Sequence, residues 1–263
     1  ATLEHAEQKA SEFFALPMAT KRGCLADATR DGKRAGELSL ASCGYTTWPN
    51  REHWHVVCGA PDAQPWPSDQ VAGFREALLD AAAVLRRVAL KELDAFCGGG
   101  GGGSEAMREL KERCERPGAA DPSVIDCFVY RRSVEGHSGG GGGGGGEDDG
   151  CVHMASHVDP GVLTIKRPSA TPGLEVLDRE SEGWVAVEAR CEPGAVVVFA
   201  AEQLARASGG ALAAAPHRVV TASRDAVRHA LVYELRAPEA VAAVAPPAPE
   251  PRHTIADGRS FPQ

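Results

Sequence analysis

The sequence predicts a mainly β fold with flanking helices, an α+β chain with a jelly-roll core. Three observations carry this expectation. Up to residue 122 the clearest apolar pattern recurs every three or four residues, as on a helix with one buried stripe. From Ser123 onward the period falls to two, the alternation of strands with one face turned inward. Turn signals cut that second region into eight short strands, the pattern of a closed or double-sheet β core. Helices first and strands afterwards argue for one domain with a helical flank.

The elements follow in order. Leu3, Ala6, Ala10, Phe13 and Phe14 share one helical face, and Leu16-Pro17 ends that helix. Residues 18–66 are rich in Gly, Asp, Asn and Pro and read as irregular, with turns at Gly44-Tyr45 and Trp48-Pro49-Asn50. Within them Glu52 to Cys58 offers a short strand. His53, His55 and Val57 would face one way, and Trp54, Val56 and Cys58 the other. Pro67-Ser68-Asp69 opens the clearest helix, with Ser68 as N-cap and Val71, Phe74, Leu78, Ala81, Leu85 and Val88 as its stripe. The glycines Gly98–Gly103 stop it. Ser104 caps the next helix, with Glu105 in its first turn and Met107, Leu110 and Cys114 inward.

The eight strands are Val124 to Arg131, Cys151 to Asp159, Gly161 to Ile165, Leu174 to Leu177, Trp184 to Glu188, Ala195 to Ala200, His217 to Thr221 and Arg228 to Arg236. They divide the chain into a helical and irregular flank (1–122), a β core (123–238) and a tail (239–263) whose Ala and Pro content predicts an extended segment. The glycine runs Gly98–Gly103 and Gly139–Gly146 read as loops. Neither is a phosphate cradle, because Gly103-Ser104 lacks the lysine that such a loop needs.

Composition excludes several classes of function. The chain has 263 residues, 43% hydrophobic and 24% charged, with a formal net charge of −8. That balance argues against a general binder of nucleic acid or anionic membranes, which needs Lys and Arg surfaces. No apolar run approaches the roughly 20 residues of a membrane span. The first residues, Ala1-Thr2-Leu3-Glu4-His5, carry no basic region of a secretory leader, so no signal peptide is expected. The chain is expected to be cytoplasmic and a monomer, and with no initiator Met its N-terminus is expected to be trimmed or incomplete. Eight cysteines without a Cys-x-x-Cys pair read as reduced, mostly buried thiols. A zinc site at His53, His55 and Cys58 is disfavoured, because no fourth ligand has finger-like spacing.

The chemistry concentrates at His157-Val158-Asp159-Pro160-Gly161. On an extended segment residues two apart share a face, so His157 and Asp159 present an imidazole and a carboxylate side by side. His217 opens a later strand and offers a third ligand. Two His and one carboxylate on one face of a metal leave the opposite positions open, the facial triad of Fe(II) oxygenases. A His-x-Asp taken alone is equally a solvated strand end; the surrounding β-rich run and the downstream His-Arg give it weight. His153 lies two strand steps from His157 and reads as core or solvent-facing. His229 points away from Arg228 and reads as no ligand.

These residues resemble the isopenicillin N synthase-like family of Fe(II)/2-oxoglutarate dioxygenases. The resemblance runs in order through His157-Val-Asp159-Pro-Gly-Val-Leu-Thr, Pro172-Gly-Leu-Glu-Val-Leu, Trp184-Val-Ala-Val, Pro193-Gly-Ala-Val-Val-Val-Phe, Glu202-Gln-Leu, Ser208-Gly-Gly and His217-Arg-Val-Val, with Arg228 beyond. Looser matches precede it: Phe13-Phe14-Ala-Leu-Pro, Lys21, Gly44-Tyr45, Arg51-Glu-His and Pro65-Trp-Pro. The family carries a further strand and helix before Phe13, which this chain is expected to lack.

The resemblance implies a double-stranded β-helix (jelly roll) in which His157, Asp159 and His217 ligate Fe(II). Arg228 would grip the distal carboxylate of 2-oxoglutarate, with Tyr130 bonding the same cosubstrate and O₂ as the second cosubstrate. The implied reaction oxidises, by hydroxylation as the default, a small organic molecule while 2-oxoglutarate becomes succinate and CO₂. Val219, Val232 and Phe199 are the expected lining. Three departures stand out: Ala230 replaces the family's Ser after Arg228, Ala201-Glu202 replaces Gly-Asp, and Gly139–Gly146 expands a loop before the iron strand. They leave one alternative of a different class, a catalytically impaired barrel that binds metal or ligand. A zinc hydrolase on the same triad is weaker, because it gives Arg228 no role.

Overall fold

A computed structural model describes residues 1–26, 42–98, 104–116, 121–131, 151–221 and 226–238. The run Gly139–Gly146, Gly99 to Gly103 and the tail from residue 239 lie outside the described residues.

The N-terminal part supplies α1 (Thr2–Phe14), α2 (Met18–Lys21), β1 (Gly44–Trp48), β2 (Arg51–Val57), α3 (Phe74–Gly98) and α4 (Glu105–Glu115). The β core follows with β3 (Val124–Tyr130), β4 (Cys151–His157), β5 (Leu163–Lys166), β6 (Leu174–Leu177), β7 (Trp184–Ala186) and β8 (Val197–Ala200). It closes with the short helix α5 (Glu202–Ala207), then β9 (His217–Thr221) and β10 (Arg228–Leu235). Among the described residues every pairing between named strands is antiparallel. A six-stranded sheet runs β1-β2-β3-β10-β5-β8, and a four-stranded sheet runs β4-β9-β6-β7. Tyr130 and Ala230 of the large sheet pack on Val219 of the small one, so the sheets face each other as a jelly roll.

The outer face of the large sheet carries the main core. Trp54, Ile125, Cys127, Ile165, Leu231 and Tyr233 turn towards α1 and α3, whose Phe13, Phe74, Leu78 and Leu85 meet them. Phe13 is at the centre, with ring centroids 4.8 Å from Trp54, 5.4 Å from Phe74 and 5.7 Å from Tyr45. The alternation along β10 sends Leu231, Tyr233 and Leu235 to the helices, and Arg228, Ala230, Val232 and Glu234 into the space between the sheets.

Three elements depart from the sequence expectation. β1 forms in the stretch that reads as irregular. It is an edge strand, exposed at Thr47 and Trp48, so no clean alternation marks it and pairing with β2 decides its state. Gly44 starts it at φ 106°, where a Cβ would meet the Cys24 carbonyl at 2.6 Å. The helix expected from Ser68 begins at Phe74. Gln70 and Val71 donate back to the Pro67 carbonyl in a separate turn, and Gly73 at φ 77° interrupts the chain before α3. The third is α5, too short to show a helical repeat. Ser104 caps α4 as expected, accepting from the Met107 N–H. Among the described residues no helix is long and apolar enough to cross a membrane.

Candidate metal centre

β4 and β9 are paired so that His157 lies directly opposite His217. Cross-strand neighbours sit about 5 Å apart at Cβ, which brings the two rings together; their centroids are 4.2 Å apart. Asp159, two residues past the end of β4, completes the group. Its carboxylate oxygens lie 3.5 Å from His157 Nε2 and 3.6 Å from His217 Nε2, and one donor atom from each residue falls within 4.8 Å of the others.

The surroundings prepare these three side chains as ligands. His157 Nδ1 lies 2.9 Å from the Ala155 carbonyl and His217 Nδ1 3.0 Å from the Ala215 carbonyl. A carbonyl only accepts, so each Nδ1 carries a proton, and Nε2, facing Asp159, is the nitrogen left to ligate a metal. Thr164 Oγ1 donates to Asp159 Oδ2 at 2.6 Å. Burial would raise the Asp159 pKa, but the two imidazoles and Thr164 hold it below the ordinary value. Burial lowers that of His217. His157 is raised instead, because Asp159 and the Ala155 carbonyl overcome its burial. A carboxylate and two lone-pair nitrogens on one side of a point fit a divalent metal with open coordination positions, and Fe(II) is the metal this donor set suits.

A cavity opens between the sheets beside these residues. Phe199, Val219 and Val232 are on its wall, as are Tyr130 and Ala230. Burial pushes the Tyr130 pKa up, so its hydroxyl stays protonated. The Arg228 guanidinium carbon lies 5.4 Å from the Tyr130 ring centroid. His153 and His229 stay outside the group. His153 is buried with Nε2 2.9 Å from Thr221 Oγ1, and His229 points to α1, with Nδ1 3.3 Å from Ser11 Oγ.

Arg228 has an occupant that sequence reasoning missed. It is fully buried, and its Nη2 donates to both Glu188 oxygens at 3.0 and 3.1 Å. Glu188 also accepts from Lys166 Nζ at 2.8 Å and from the backbone N–H groups of Ser169, Gly173 and Leu174. Burial would raise the Glu188 carboxyl, but Lys166 and Arg228 hold it at about 2. Arg228 Nε and Nη1 are buried with no acceptor. Nε and Nη1 lie on different edges of the guanidinium, so one carboxylate cannot engage both, and Arg228 is not on the cavity wall. Lys166 itself lines the cavity. A lysine ending the apolar run Leu163-Thr164-Ile165 was the signal in the sequence; Glu188 gave none, because its partners come from three separate segments.

Comparisons with known proteins agree with this geometry. Residues 127–237 match the 2OG-Fe(II) oxygenase superfamily. Flavanone 3-dioxygenase 3 of Oryza sativa subsp. japonica is 28% identical over 224 residues, covering 85% of this chain and 61% of that protein. The chain thus spans about three fifths of that relative's length. Among solved structures, a full-length Neurospora crassa protein in complex with alpha-KG superposes with TM-score 0.66 at 17% identity, over 90% of this chain and 70% of that one. The dioxygenase for auxin oxidation 1 of Arabidopsis thaliana, bound to 2-oxoglutarate, gives 0.64 at 20% identity, over 90% and 79%. At these identities the structural likeness shows the fold.

Proposed function

We propose, from the match of residues 127–237 to the 2OG-Fe(II) oxygenase superfamily, that the chain is an Fe(II)- and 2-oxoglutarate-dependent dioxygenase oxidising a small organic molecule. The observation that carries the reading is the convergence of His157, Asp159 and His217, with both imidazoles held in the ligating tautomer. Their roles are assigned residue by residue. His157, Asp159 and His217 hold Fe(II), Arg228 offers an N–H not given to Glu188 to the distal carboxylate of 2-oxoglutarate, and Tyr130 stands beside it as a hydroxyl donor. When bound, the metal and its cosubstrate supply the oxidising chemistry: O₂ is consumed, 2-oxoglutarate becomes succinate and CO₂, and a substrate C–H bond is oxidised.

The chain's own share is placement and exclusion. Ligands at strand ends are fixed by backbone carbonyls and by Thr164, so the donor atoms need little reorganisation to take a metal. Phe199, Val219 and Val232 give the cavity an apolar wall that keeps water from the reacting centre and selects carbon-rich substrates. Ala230 offers no hydroxyl where the family has one, which weakens cosubstrate binding by about one neutral hydrogen bond, roughly 0.5–1.5 kcal/mol. Hydroxylation is the default outcome. The reading as an idle metal-binding barrel has less support, since ligands, tautomer-fixing carbonyls and orphaned guanidinium donors are all present.

The test is succinate release from 2-oxoglutarate by the protein supplied with Fe(II) and O₂. His157→Ala and Asp159→Ala are expected to abolish it. Full turnover retained by either variant sinks the assignment.

A further inference from the structure

The inner face of the large sheet carries a second set of donors outside the first. His53 and His55 alternate along β2 and so share a face, and the β2–β3 register sets Asp126 directly opposite His55. Both imidazoles converge on the same oxygen: His53 Nε2 lies 2.7 Å, and His55 Nδ1 2.6 Å, from Asp126 Oδ1. One donor atom from each residue falls within 4.8 Å of the others. We propose that His53, His55 and Asp126 form a second divalent-cation site, of zinc type, on the flank of the barrel.

Three observations carry this beyond a buried hydrogen-bonded cluster. First, neither imidazole uses Asp126 Oδ2, although two separate hydrogen bonds would spread naturally over both oxygens. Two imidazole nitrogens gathered at one carboxylate oxygen supply the donor set of a zinc site with a monodentate carboxylate. Second, His53 has outer support: its Nδ1 is 3.3 Å from Thr46 Oγ1, and its ring stacks on Phe128 with centroids 4.3 Å apart and planes 4° from parallel. A metal-binding imidazole needs its far nitrogen held in this way. Third, Asp126 lines the cavity between the sheets, so a cation can reach the group from there.

The side chains are close to what a cation requires. Zinc bonds of about 2.0–2.1 Å set tetrahedral donors roughly 3.3 Å apart, so each nitrogen, now 2.7 or 2.6 Å from Asp126 Oδ1, must move away from it by roughly 0.6–0.7 Å. Three protein ligands leave the fourth position to water or to an oxygen donor, which is the pattern of an exchangeable rather than a closed site. Cys58, the third ligand considered from sequence, has no place here. It follows the parity of Trp54 and Val56 on the far face, and burial pushes its thiol up to about 12.

The site does not depend on the oxygenase reading, and the test separates the two. Zinc is titrated into metal-free full-length protein against a chromogenic chelator. Wild type is expected to take two ions per chain, His157→Ala/His217→Ala one, and His53→Gln in that double-variant background none. Thr46→Val, which keeps all three ligands, is expected to weaken the remaining site about 10- to 100-fold. Circular dichroism confirms that each variant is folded; if the triple variant is not, Asp126→Asn in the same background takes its place. The proposal is overturned if the double variant binds no zinc, or if its zinc survives the loss of His53 or Asp126.

Discussion

Arg228 and Glu188 meet inside the barrel, Nη2 bonding both carboxylate oxygens at 3.0 and 3.1 Å, with the side chains 0% and 1% exposed. Glu188 is thereby the hub of a buried network that also holds Lys166 and three backbone N–H groups. Removing one member of such a network strands the others without water. Glu188→Gln is therefore expected to destabilise the fold by about 3–5 kcal/mol at neutral pH, read from urea unfolding. The Glu188 pKa is depressed from 4.5 to about 2, so its contribution is complete above 4.5 and is lost as pH falls towards 2. The gap between wild type and variant should close across that window. A gap constant from pH 6 to pH 2.5 contradicts the network.

Lys166 titrates in the opposite range. Burial, with the nearby Arg228 charge, lowers it from 10.5 to about 7 against the pull of Glu188. Between those values the unfolded chain holds a proton that the folded one has released, so stability contributed here rises with pH and is lost as pH falls through 7. Wild type should gain about 2 kcal/mol relative to Lys166→Met between pH 7 and pH 9, at 1.36 kcal/mol per unit. Unfolding curves at the two pH values decide it; parallel behaviour of the two proteins means that Lys166 keeps its charge.

Thr164 touches the proposed iron site only through Asp159, at 2.6 Å. Thr164→Val keeps the shape and removes that hydrogen bond. Fe(II) affinity should fall about 10- to 100-fold, measured by chelator competition under anaerobic conditions. Unchanged affinity would show that Asp159 needs no support to face the metal.

Gly173 lies against Arg228. A Cβ there would meet the Val220 carbonyl at 2.7 Å and Arg228 Nε at 2.9 Å, and the backbone oxygen has no freedom to retreat. Gly173→Ala is expected to lose about 1–3 kcal/mol of stability and to raise KM for 2-oxoglutarate more than it lowers kcat. Kinetics with varied 2-oxoglutarate check this, and an unaltered KM would detach Arg228 from the cosubstrate.

Phe13 joins α1 to the outer face of the sheet through Trp54, Tyr45 and Phe74. Phe13→Ala should cost about 3–5 kcal/mol of stability while leaving succinate release per folded molecule intact. Thermal unfolding with activity measured below the transition tests both halves.

The sequence by itself determined the two periods, and with them the helical flank and the strands of the core, because burial of one face imposes repeats of 3.6 and 2 wherever a strand or helix is long enough to show them. It also determined that His157 and Asp159 share a face, since side-chain alternation is local. Tertiary structure alone decided the rest. β1 is an edge strand, made by its neighbour rather than by its own pattern. That His217 stands opposite His157 and that Asp126 stands opposite His55 follow from register, which is set by pairing between distant segments. Glu188 drew its partners from β5, β10 and the loop before β6, so its place at Arg228 left no trace in the residues around it.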